Sequence, residues 1–297
     1  MPVQRIIIVV NPCGGKRRGL AVLETVKPIF SAAGIELDVH VTTHAGHATE
    51  LAGTLDFDGC DGFCLIGGDG TLHEAVCGLI KRDHPVNIPL GVIPGGTGNS
   101  VLQHFNCLDP LEAARRIIDG RTQPLDVARV MTDGDVTYCV NIIGWGAVAD
   151  INRTAERLRM LGPPRYATAA IMHIVRLKKR RARLVLDGRI FHDAFLFITA
   201  CNTRFTGKGM QLAPKADTGD GKLDIVLVRH ATQLQMLKVF KKVFDGTHVS
   251  LPYVEYHQVH SFSIEQDGID PLILDGELKG STPVSVNIIP NLLKIFT

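Results

Sequence analysis

The sequence of 297 residues lacks any apolar run long enough to cross a membrane. The longest early run, Ile6–Val10, ends at Asn11-Pro12, and no stretch of about 18 apolar residues occurs elsewhere. The run is also shorter than the apolar core of a signal peptide, which takes about 7–15 residues. We therefore expect a cytoplasmic protein with no transmembrane segment, whose association with membranes is peripheral.

A strong net charge and paired cysteines are also absent. The 32 lysines and arginines nearly balance the 30 acidic residues, which leaves a formal net charge of +2. This balance argues against a dedicated nucleic-acid-binding protein. The seven cysteines include no CxxC pair, so a reducing compartment fits better than a disulfide framework. With 45% hydrophobic and 21% charged residues, the chain can form a sizeable core.

Glycine is the residue that the sequence holds in excess. Thirty of its 297 residues are glycine, whereas a typical protein contains about 7%. No collagen-like period accounts for this number, so the excess needs a local explanation. Many of the glycines fall in three short clusters, which are Asn11–Lys16, Gly67–Glu74 and Pro94–Ser100.

The first third of the sequence alternates between strand-like and helix-like patterns. Arg5–Val10 is a continuous apolar run of the kind found in strands buried on both faces. The spacing predicts further strands over Ile35–Thr42, Phe63–Ile66 and Ile88–Ile93, and helices over Leu20–Ala33, His47–Leu55 and Leu72–Lys81. This order is typical of a three-layer α/β domain with a parallel sheet.

After about residue 121 short strands separated by turns dominate the pattern. The predicted strands are Val127–Val130, Val136–Ile143, Leu184–Leu186, Phe195–Ala200, Leu223–Val228, Tyr253–His260 and Ser281–Ile289, with helices near Ile151–Leu161, Tyr166–Leu177 and Leu234–Phe244. We therefore expect an α/β domain over residues 1–121 and a mainly antiparallel β domain over residues 122–297. The pattern leaves open whether the C-terminal tail packs on the first domain.

The glycine clusters follow predicted strands of the first domain. Ligands of open α/β sheets bind at the carboxyl ends of the strands, and glycine lets backbone N–H groups come close to phosphate oxygens. A helix starting near Thr71 would also direct its N-terminal N–H groups at an anion. We predict a nucleotide-phosphate site at this edge, although each cluster alone is equally compatible with a tight turn.

Standard phosphate-binding motifs do not account for these loops. Lys16 is followed by Arg17, whereas the Walker A motif requires serine or threonine at that position. The Rossmann fingerprint fails as well, because His73 and Val101 stand where it requires glycine or alanine. The loops therefore belong to another class of site.

Taken together, the motifs resemble the diacylglycerol kinase catalytic family, which includes sphingosine, ceramide and bacterial lipid kinases. The matching segments are Asn11-Pro12 with Gly14–Lys16, Gly67–Thr71, Pro94–Asn99 and Asp275–Glu277, in the family's order along nearly the whole chain. The resemblance implies an ATP-dependent lipid kinase, with nucleotide and lipid domains and a cleft between them. The Gly-Gly-Asp-Gly-Thr motif also occurs in nicotinamide dinucleotide kinases, which remain an alternative.

The resemblance extends to Gly144–Tyr166, which is similar to the lipid-proximal motif of sphingosine and ceramide kinases. It implies that Asp150 and Asn152 approach the lipid substrate and that Arg159 and Arg165 reach the phosphates of ATP. For both arginines a role as helix-surface charges is an equal alternative. Sphingosine kinases tend to have an aspartate at the position of Asn152. Because an amide does not neutralise an ammonium group, ceramide or diacylglycerol is favoured over sphingosine.

The resemblance also assigns nucleotide roles to residues of the glycine clusters. The expected ATP-lining residues are Asn11, Gly15, Lys16 and Thr42, those around the phosphates are Gly68, Gly70, Thr71 and Thr97, and Glu74 and Asn99 are polar supports. Mg²⁺ is implied because it bridges phosphate oxygens in kinases. For Lys16 a solvated loop lysine is the alternative.

A carboxylate is expected to accept the proton of the lipid hydroxyl. Asp69, Asp275 and Glu277 are the candidates, and their spacing does not rank them. As structural alternatives, Asp69 shapes a turn and Asp275-Gly276 forms a hairpin turn.

Two other segments carry predictions. The stretch that contains Asp217, Asp220 and Lys222 resembles a loop that holds a structural cation in bacterial members of the family, and a plain hairpin is about as probable. The basic run Lys178–Arg183 is either a solvated helix end or, as our hypothesis, a face for an anionic membrane.

The sequence thus predicts a two-domain kinase that phosphorylates a lipid hydroxyl at a membrane surface, without a nucleic-acid partner. The alternatives are a kinase of nicotinamide dinucleotides and a catalytically silent lipid-binding module. The sequence indicates neither the oligomeric state nor the acyl preference.

Overall fold

The computed structural model describes residues 3–162, 164–207 and 209–297, apart from the side chain of Lys16. These residues form two compact units. One contains the described residues up to Val127 together with Pro290–Thr297, and the other contains Ala128–Ile289. No helix within the described ranges is both long and apolar enough to span a membrane.

The first unit is built on a parallel sheet. Its strands are β1 (Arg5–Val10), β2 (Glu36–Val41), β3 (Gly62–Gly67) and β4 (Leu90–Pro94), in the order β2-β1-β3-β4. In register, Ile8 of β1 pairs with Val39 on one side and Cys64 on the other. The end of a long strand, β16 (Val284–Phe296), joins this sheet where Ile295 pairs with Leu90.

Helices flank this sheet. They are α1 (Gly14–Arg17), α2 (Gly19–Ala32), α3 (His47–Thr54), α4 (Asp69–Ile80), α5 (Ser100–His104) and α6 (Pro110–Asp119). Helix α2 contacts α6, and α3 contacts α4. Strands β1, β3 and β4 are buried at nearly every residue, as expected for a parallel sheet with both faces covered. The predicted α/β class of this part of the chain is confirmed.

Helices α5 and α6 were not predicted from the sequence, although α6 has ordinary helix signals. The side chain of Asp109 accepts the N–H of Glu112, Pro110 occupies the first turn, and Gly120 ends the helix with φ 70°. These signals lay within the sequence and could have been used to find the helix.

Two boundaries in the glycine clusters also differ from the prediction. The first cluster was expected to be a loop, but it contains the one-turn helix α1. Helix α4 begins at Asp69, before the expected start near Thr71. The first turn of α4 therefore contains the last three residues of the Gly-Gly-Asp-Gly-Thr motif.

The second unit is dominated by antiparallel strands. One sheet has the order β12-β11-β10-β7-β14-β15. Its strands are β7 (Ile142–Gly146), β10 (Phe197–Cys201), β11 (Leu223–Val228), β12 (Glu255–Val259), β14 (Pro271–Leu274) and β15 (Glu277–Ser281). A second group contains β5 (Thr122–Thr132), β6 (Asp135–Cys139), β8 (Arg180–Leu186), β9 (Arg189–Phe195) and β13 (Ser261–Glu265). In this group β13 lies between β8 and β16, β9 pairs with β8, and β6 pairs with β5.

The main core of the second unit lies between these two groups of strands. Trp145 of β7 and Phe195 of β9 meet edge to face there, with ring centroids 6.5 Å apart, and both are fully buried. A second apolar cluster packs α8 (Arg165–Arg176) and α9 (Gln233–Lys242) on the six-stranded sheet. Helix α7 (Ala147–Arg157) follows β7 directly. The expected mainly antiparallel β fold of this part is confirmed.

Three details of the second unit differ from the prediction. The single strand expected over Val136–Ile143 is two strands, because β6 pairs with β5 whereas β7 pairs with β10 and β14. The last strand begins at Val284 and continues to Phe296, so that the C-terminal tail belongs to the first unit. The basic run Lys178–Arg183 is not a helix end, since its second half begins β8.

Candidate active site

The three glycine clusters of the first unit meet at the carboxyl ends of β1, β3 and β4. The N–H of Asn11 donates to the carbonyl of Ile66 at 2.9 Å. The N–H groups of Gly95 and Gly96 both donate to the carbonyl of Gly67, also at 2.9 Å. The parallel sheet therefore assembles into one loop cluster three segments that are far apart in the sequence.

Several glycines are required at this edge because the loops touch one another through their backbones. A Cβ atom on Gly68 would lie 2.7 Å from the carbonyl oxygen of Gly98, well inside van der Waals contact. A Cβ on Gly15 would collide with the carbonyl oxygen of Gly95, and the φ of Gly15, +52°, is one that other residues rarely adopt. Glycine thus allows the loops to pack together, a reason that the sequence analysis did not consider.

Asn11 holds the first loop with its side chain. Its Oδ1 accepts the N–H groups of Cys13 and Gly14, both at 3.0 Å. Its Nδ2 donates to Oγ1 of Thr71 at 3.0 Å, and Thr71 is buried. Both residues were predicted to contact nucleotide, and in the structure their polar groups connect the first two loops.

Asp69 begins α4 and connects it to the third loop. Its Oδ2 accepts the N–H of Ser100 at 3.0 Å, and its Oδ1 accepts the N–H of Val101 at 3.3 Å. The carboxylate thus satisfies N–H groups in the first turn of α5. The N-cap of α4, Gly68, provides no side-chain bond, so the first-turn N–H of Gly70 remains directed at any anion that binds in front of this helix.

Glu74 and Thr42 support neighbouring segments. The Oε1 of Glu74 accepts the N–H of Gly46 at 3.0 Å, and its Oε2 accepts the N–H of Ala48 at 3.3 Å. Thr42 is buried, and its hydroxyl donates to the carbonyl of Val10 at 3.4 Å. Glu74 therefore anchors the start of α3, while its role beside a nucleotide stays a prediction.

The remaining predicted nucleotide residues of this unit differ in exposure. Thr97 is exposed in the third loop, whereas Asn99 is half-buried and its Nδ2 donates to the carbonyl of Gly96 at 3.2 Å. The side chain of Lys16 lies outside the part of the chain that the structure describes.

In the second unit the carboxylates of the Asp-Gly-Glu motif have different surroundings. Asp275 is buried, and its carboxylate accepts the N–H groups of Val140 at 3.1 Å, Asn141 at 2.8 Å and Ile142 at 3.1 Å. Glu277 is exposed, and its carboxylate bonds to no other side chain or backbone group of the described residues. The hairpin turn considered for Asp275-Gly276 is present, since β14 and β15 flank it.

Asp150 and Asn152, expected near the lipid, both lie buried on α7. The Oδ2 of Asp150 pairs with Arg180 at 2.6 Å, and its Oδ1 pairs with Arg153 at 3.1 Å. The Nδ2 of Asn152 donates to the carbonyl of Gly276 at 3.0 Å. Asp150 thus has both carboxylate oxygens engaged by arginines.

Arg159 and Arg165 are brought together by Glu156. The Nε of Arg159 donates to Glu156 Oε2 at 2.6 Å, and Nη2 of Arg165 lies 3.4 Å from Glu156 Oε1. The guanidinium of Arg165 also lies over the ring of Tyr166, 4.9 Å from its centroid. The two arginines form one basic cluster on neighbouring helical segments of the second unit.

The predicted cation loop is a pair of side-chain turns. The Oδ1 of Asp217 accepts the N–H of Gly219 at 3.0 Å, and Oδ1 of Asp220 accepts the N–H of Lys222 at 2.9 Å. Both carboxylates are exposed and each keeps a second oxygen. The loop therefore offers two carboxylate oxygens, together with main-chain carbonyls, to a hard cation.

Asp224 follows this loop and is fully buried. Its Oδ1 accepts bonds from the hydroxyl of Tyr256 at 2.6 Å and from Nε2 of Gln258 at 3.2 Å. Burial raises the pKa of Asp224 despite these bonds, and burial also raises the pKa of Tyr256. This network holds β11 to β12 beside the predicted cation loop.

Arg180 and Asp270 are the residues that sequence reasoning missed. Arg180 is buried, and in addition to Asp150 its Nε donates to Oδ2 of Asp270 at 2.6 Å. Within a run of six residues of which five are basic, nothing in the sequence marks this arginine as the one that is buried. Its partners lie 30 and 90 residues away.

Comparisons with known proteins agree with this architecture. The profile of the diacylglycerol kinase catalytic domain matches residues 5–130. The profile of the YegS C-terminal NAD kinase beta sandwich-like domain matches residues 141–297, a little over half of the chain.

Curated relatives carry the names of two lipid kinases. A diacylglycerol kinase of Mycobacterium tuberculosis is 29% identical, and the alignment covers 99% of this chain and 95% of that protein. Sphingosine kinase 1 of Arabidopsis thaliana is 28% identical, with 88% of this chain and 64% of that protein covered. The chain thus spans less than two thirds of the length of the Arabidopsis protein.

A solved structure supports the fold. The crystal structure of a diacylglycerol kinase from Bacillus anthracis superposes with a TM-score of 0.76 at 21% identity, covering 100% of this chain and 97% of that one. At this identity the likeness concerns the fold alone. The two profile matches account for both halves of the chain, and the predicted resemblance is confirmed: residues 5–130 match the diacylglycerol kinase catalytic domain, and the chain belongs to the family that carries the YegS C-terminal domain.

Proposed function

We propose that this chain transfers the γ-phosphate of ATP to the hydroxyl of a membrane lipid, with nucleotide bound by the first unit and lipid by the second. The observation that carries the proposal is the meeting of three glycine loops in front of α4, in a chain of this kinase family. Phosphoryl transfer depends mainly on positioning and on charge stabilisation, and backbone N–H groups at a helix N-terminus supply both.

The nucleotide would lie against the loop cluster of the first unit. The exposed Thr97 and the N–H groups of the half-buried Gly68 and Gly70 would contact it, whereas Asn11 and Thr71 keep the loops in place. Mg²⁺ accompanies ATP in kinases because it neutralises phosphate oxygens. Lys16, Arg159 and Arg165 remain proposed phosphate ligands. The proposed ligands of a structural cation remain Asp220 and the main-chain carbonyls near Asp217 and Lys222.

Glu277 is the strongest candidate for the base that takes the proton of the lipid hydroxyl. Asp69 and Asp275 already accept two and three backbone N–H groups, respectively. These bonds occupy the carboxylate oxygens and leave them less accessible to a lipid hydroxyl. Glu277 is exposed and engages no described group, so its oxygens are available to a hydroxyl.

The lipid is proposed to have a neutral head group, as in diacylglycerol or ceramide. A sphingoid base would need an anionic partner for its ammonium, and Asp150 is neutralised by two arginines. Asn152 carries no charge. The full-length match to a diacylglycerol kinase of Mycobacterium tuberculosis also favours this choice. Neither a nicotinamide dinucleotide kinase nor a silent lipid-binding module is favoured by the relatives.

A lipid-panel kinase assay tests the proposal. Purified protein with ATP and Mg²⁺ is expected to phosphorylate diacylglycerol or ceramide in mixed micelles, and Glu277→Gln to lower kcat by about 10²–10⁴-fold. Glu36→Gln, an equally exposed carboxylate on β2, is the matched control and should keep full activity. Product with nicotinamide dinucleotide alone would establish the rival kinase, and no product with any acceptor would contradict the proposal.

The basic run stays a hypothesis, with Lys178, Lys179 and Arg181 exposed, but we propose a different location for the membrane-facing surface. Arg180 of the basic run is buried, and Arg183 pairs with Glu265 at 3.1 Å. By contrast, α8 exposes an apolar stripe of Ile171, Met172 and Val175, which are 48%, 39% and 63% exposed. This stripe lies opposite the face by which α8 packs on the sheet.

Helix α9 extends the same surface. It contacts α8, and Nε2 of Gln233 donates to the carbonyl of Val175 at 2.7 Å. Leu234 is 79% exposed, and Lys238 and Lys241 lie on its side of the helix. Because both helices pack on one face of the six-stranded sheet, their outer faces form one apolar and basic surface, which suits an anionic bilayer.

Vesicle sedimentation tests this surface. The double variant Ile171→Ser/Val175→Ser is expected to bind vesicles of anionic phospholipid at least several-fold more weakly than the parent. Ile190→Ser, in β9 and 52% exposed, is the matched control and should bind like the parent. Unchanged binding of the double variant, or equal binding of the parent to neutral vesicles, would contradict this location.

A further inference from the structure

Asn152 bonds to the acidic turn of the second unit. Its Nδ2 donates to the carbonyl of Gly276 at 3.0 Å, across 124 residues of sequence. Asn152 is only 8% exposed, so this amide has little access to solvent or to a ligand. Gly276 stands between Asp275 and Glu277, and its carbonyl belongs to the peptide unit that leads into Glu277.

The turn itself is tight and is anchored from both of its central residues. Asp275 and Gly276 have φ of 50° and 93° and connect Leu274 to Glu277, which pair across the hairpin. Two consecutive residues with positive φ are typical of a type I′ hairpin turn. The carboxylate of Asp275 bonds to backbone N–H groups next to β7, and the Gly276 carbonyl bonds to α7.

A buried ion chain fixes α7 against the strand that enters this turn. Asp150, one turn of helix from Arg153, pairs with Arg180 at 2.6 Å, and Arg180 pairs with Asp270 at 2.6 Å. Asp270 immediately precedes β14, which ends at the turn. Helix α7 is thus attached to the hairpin at two places, before β14 through Asp150 and after it through Asn152.

We infer that Asn152 is a positioning residue, which orients the turn that carries Glu277, and not a ligand of the lipid head group. The inference rests on the proposed role of Glu277 as the base. Its physical basis is that the amide donates to the peptide unit adjacent to Glu277 and is itself buried, while its neighbour Asp150 is fully engaged by arginines. Residue 152 therefore does not select the lipid of this chain by its charge.

The variant Asn152→Asp distinguishes a head-group ligand from a positioning residue. If residue 152 binds the head group, Asn152→Asp adds a charge that attracts an ammonium and should shift preference toward sphingosine. If residue 152 positions the turn, the new carboxylate faces the Gly276 carbonyl at a donor–acceptor distance, and two acceptor oxygens repel each other. The turn should then loosen, and turnover of every lipid should fall.

Hydrogen exchange and kinetics together test the inference. Asn152→Asp and Asn152→Ala are expected to speed amide exchange of the segment 271–281 about tenfold. With diacylglycerol and ceramide in mixed micelles, kcat should fall about tenfold while KM for lipid and ATP stays unchanged, a loss of about 1.4 kcal/mol. Relative to wild type at the same pH, lowering the pH should restore slow exchange to the aspartate variant alone, because a protonated carboxyl again donates to the carbonyl.

Asn287→Asp provides the control, since it makes the same chemical change at an exposed position of β16. It should alter neither the amide exchange of residues 271–281 nor kcat. Unchanged exchange in both Asn152 variants, or a gain of sphingosine phosphorylation with kcat for the other lipids intact, would overturn the inference. The exchange measurement needs no turnover, so it stays decisive even if the wild-type protein phosphorylates none of the lipids and the proposed function fails.

Discussion

The loop cluster of the first unit and the acidic turn of the second unit are held together by different means. In the first unit backbone groups meet directly, as where the N–H groups of Gly95 and Gly96 share the carbonyl of Gly67. In the second unit side chains make the links, as where Arg180 joins Asp150 to Asp270. The first site depends mainly on close backbone packing, to which Asn11 and Asp69 add side-chain bonds, whereas the second depends on paired charged side chains.

This difference explains why the loop cluster was recognised in the sequence, whereas the ion chain beside the acidic turn was not. Backbone packing requires glycine, and glycine leaves recognisable clusters. A buried ion pair requires only that opposite charges meet in space, and in the sequence each partner is one charged residue among the 62 of the chain. A motif search therefore finds sites built from backbone far more readily than those built from paired side chains.

The largest effect is expected where the charged links are broken. Arg180→Met leaves Asp150 buried without its main partner, and we expect the free energy of unfolding to fall by about 3 kcal/mol. Arg183→Met, on the same strand, breaks only the exposed pair with Glu265 and should cost at most about 1 kcal/mol. Urea denaturation followed by the fluorescence of Trp145, the single tryptophan, measures both.

Equal midpoints for the two arginine variants would contradict this view of the second unit. In that case the buried ion chain would contribute no more than a surface pair, and the hairpin would depend on its backbone bonds alone.

A somewhat smaller effect is expected where a side chain is added between the loops. Gly96→Ala places a Cβ against the backbone of Gly68, and overpacking of this kind costs about 1–3 kcal/mol. Gly53→Ala, inside α3 with its nearest neighbour 3.9 Å away, is the control and should stabilise by about 1 kcal/mol through helix propensity. Thermal unfolding by circular dichroism compares the two. A stability of Gly96→Ala equal to that of the parent would show that the loops are not closely packed.

Glu74 is an exception to the backbone packing of the first unit, because its charged side chain links two segments there. Glu74→Gln keeps one acceptor oxygen and replaces the other by an amide NH₂ group, which is a donor. One of the N–H groups of Gly46 and Ala48 therefore loses its acceptor. We expect a cost of about 1 kcal/mol, with faster amide exchange limited to residues 43–48. If exchange rises throughout the loop cluster, Glu74 supports more of the site than its contacts indicate.

The smallest effect concerns pH. His248 is fully buried in the second unit, and burial lowers its pKa. The folded state then binds fewer protons than the unfolded state, so the stability that this residue contributes is complete above about pH 6.5 and is lost as the pH falls below it. His248→Gln should flatten the decline of the unfolding free energy between about pH 7 and 5, measured with urea and Trp145 fluorescence. If the unfolding free energy of His248→Gln declines as steeply with falling pH as that of the parent, other groups cause the decline.

Much of the fold followed from local patterns. The apolar run Arg5–Val10 was predicted as a buried strand, and its boundaries are those of β1. The single strand predicted over Val136–Ile143 was wrong, because the apolar pattern continues while the backbone leaves one sheet for another near Val140. Helix α6 was missed even though Asp109 caps it.

The functional residues divide in a similar way. Gly68 and Asp69 were named from their motif, but Asp69 bonds to Ser100 and Val101, which lie 31 and 32 residues further along. The interpretation of Asn152 as a head-group contact came from its neighbours in sequence, whereas the group that it touches, Gly276, lies 124 residues away. The spacing of residues within a motif does not indicate a contact with a residue so far away in the sequence.

Residue types and their order determined the parallel sheet, the glycine loops at its carboxyl edge and the family, because strand periodicity and the steric freedom of glycine are local properties of a chain. Only the tertiary structure decided which carboxylates are engaged and which one is exposed, and which arginine of the basic run is buried. Those outcomes depend on which segments meet after folding, since a charge acquires its partner, its solvation and its chemical role from contacts across the chain.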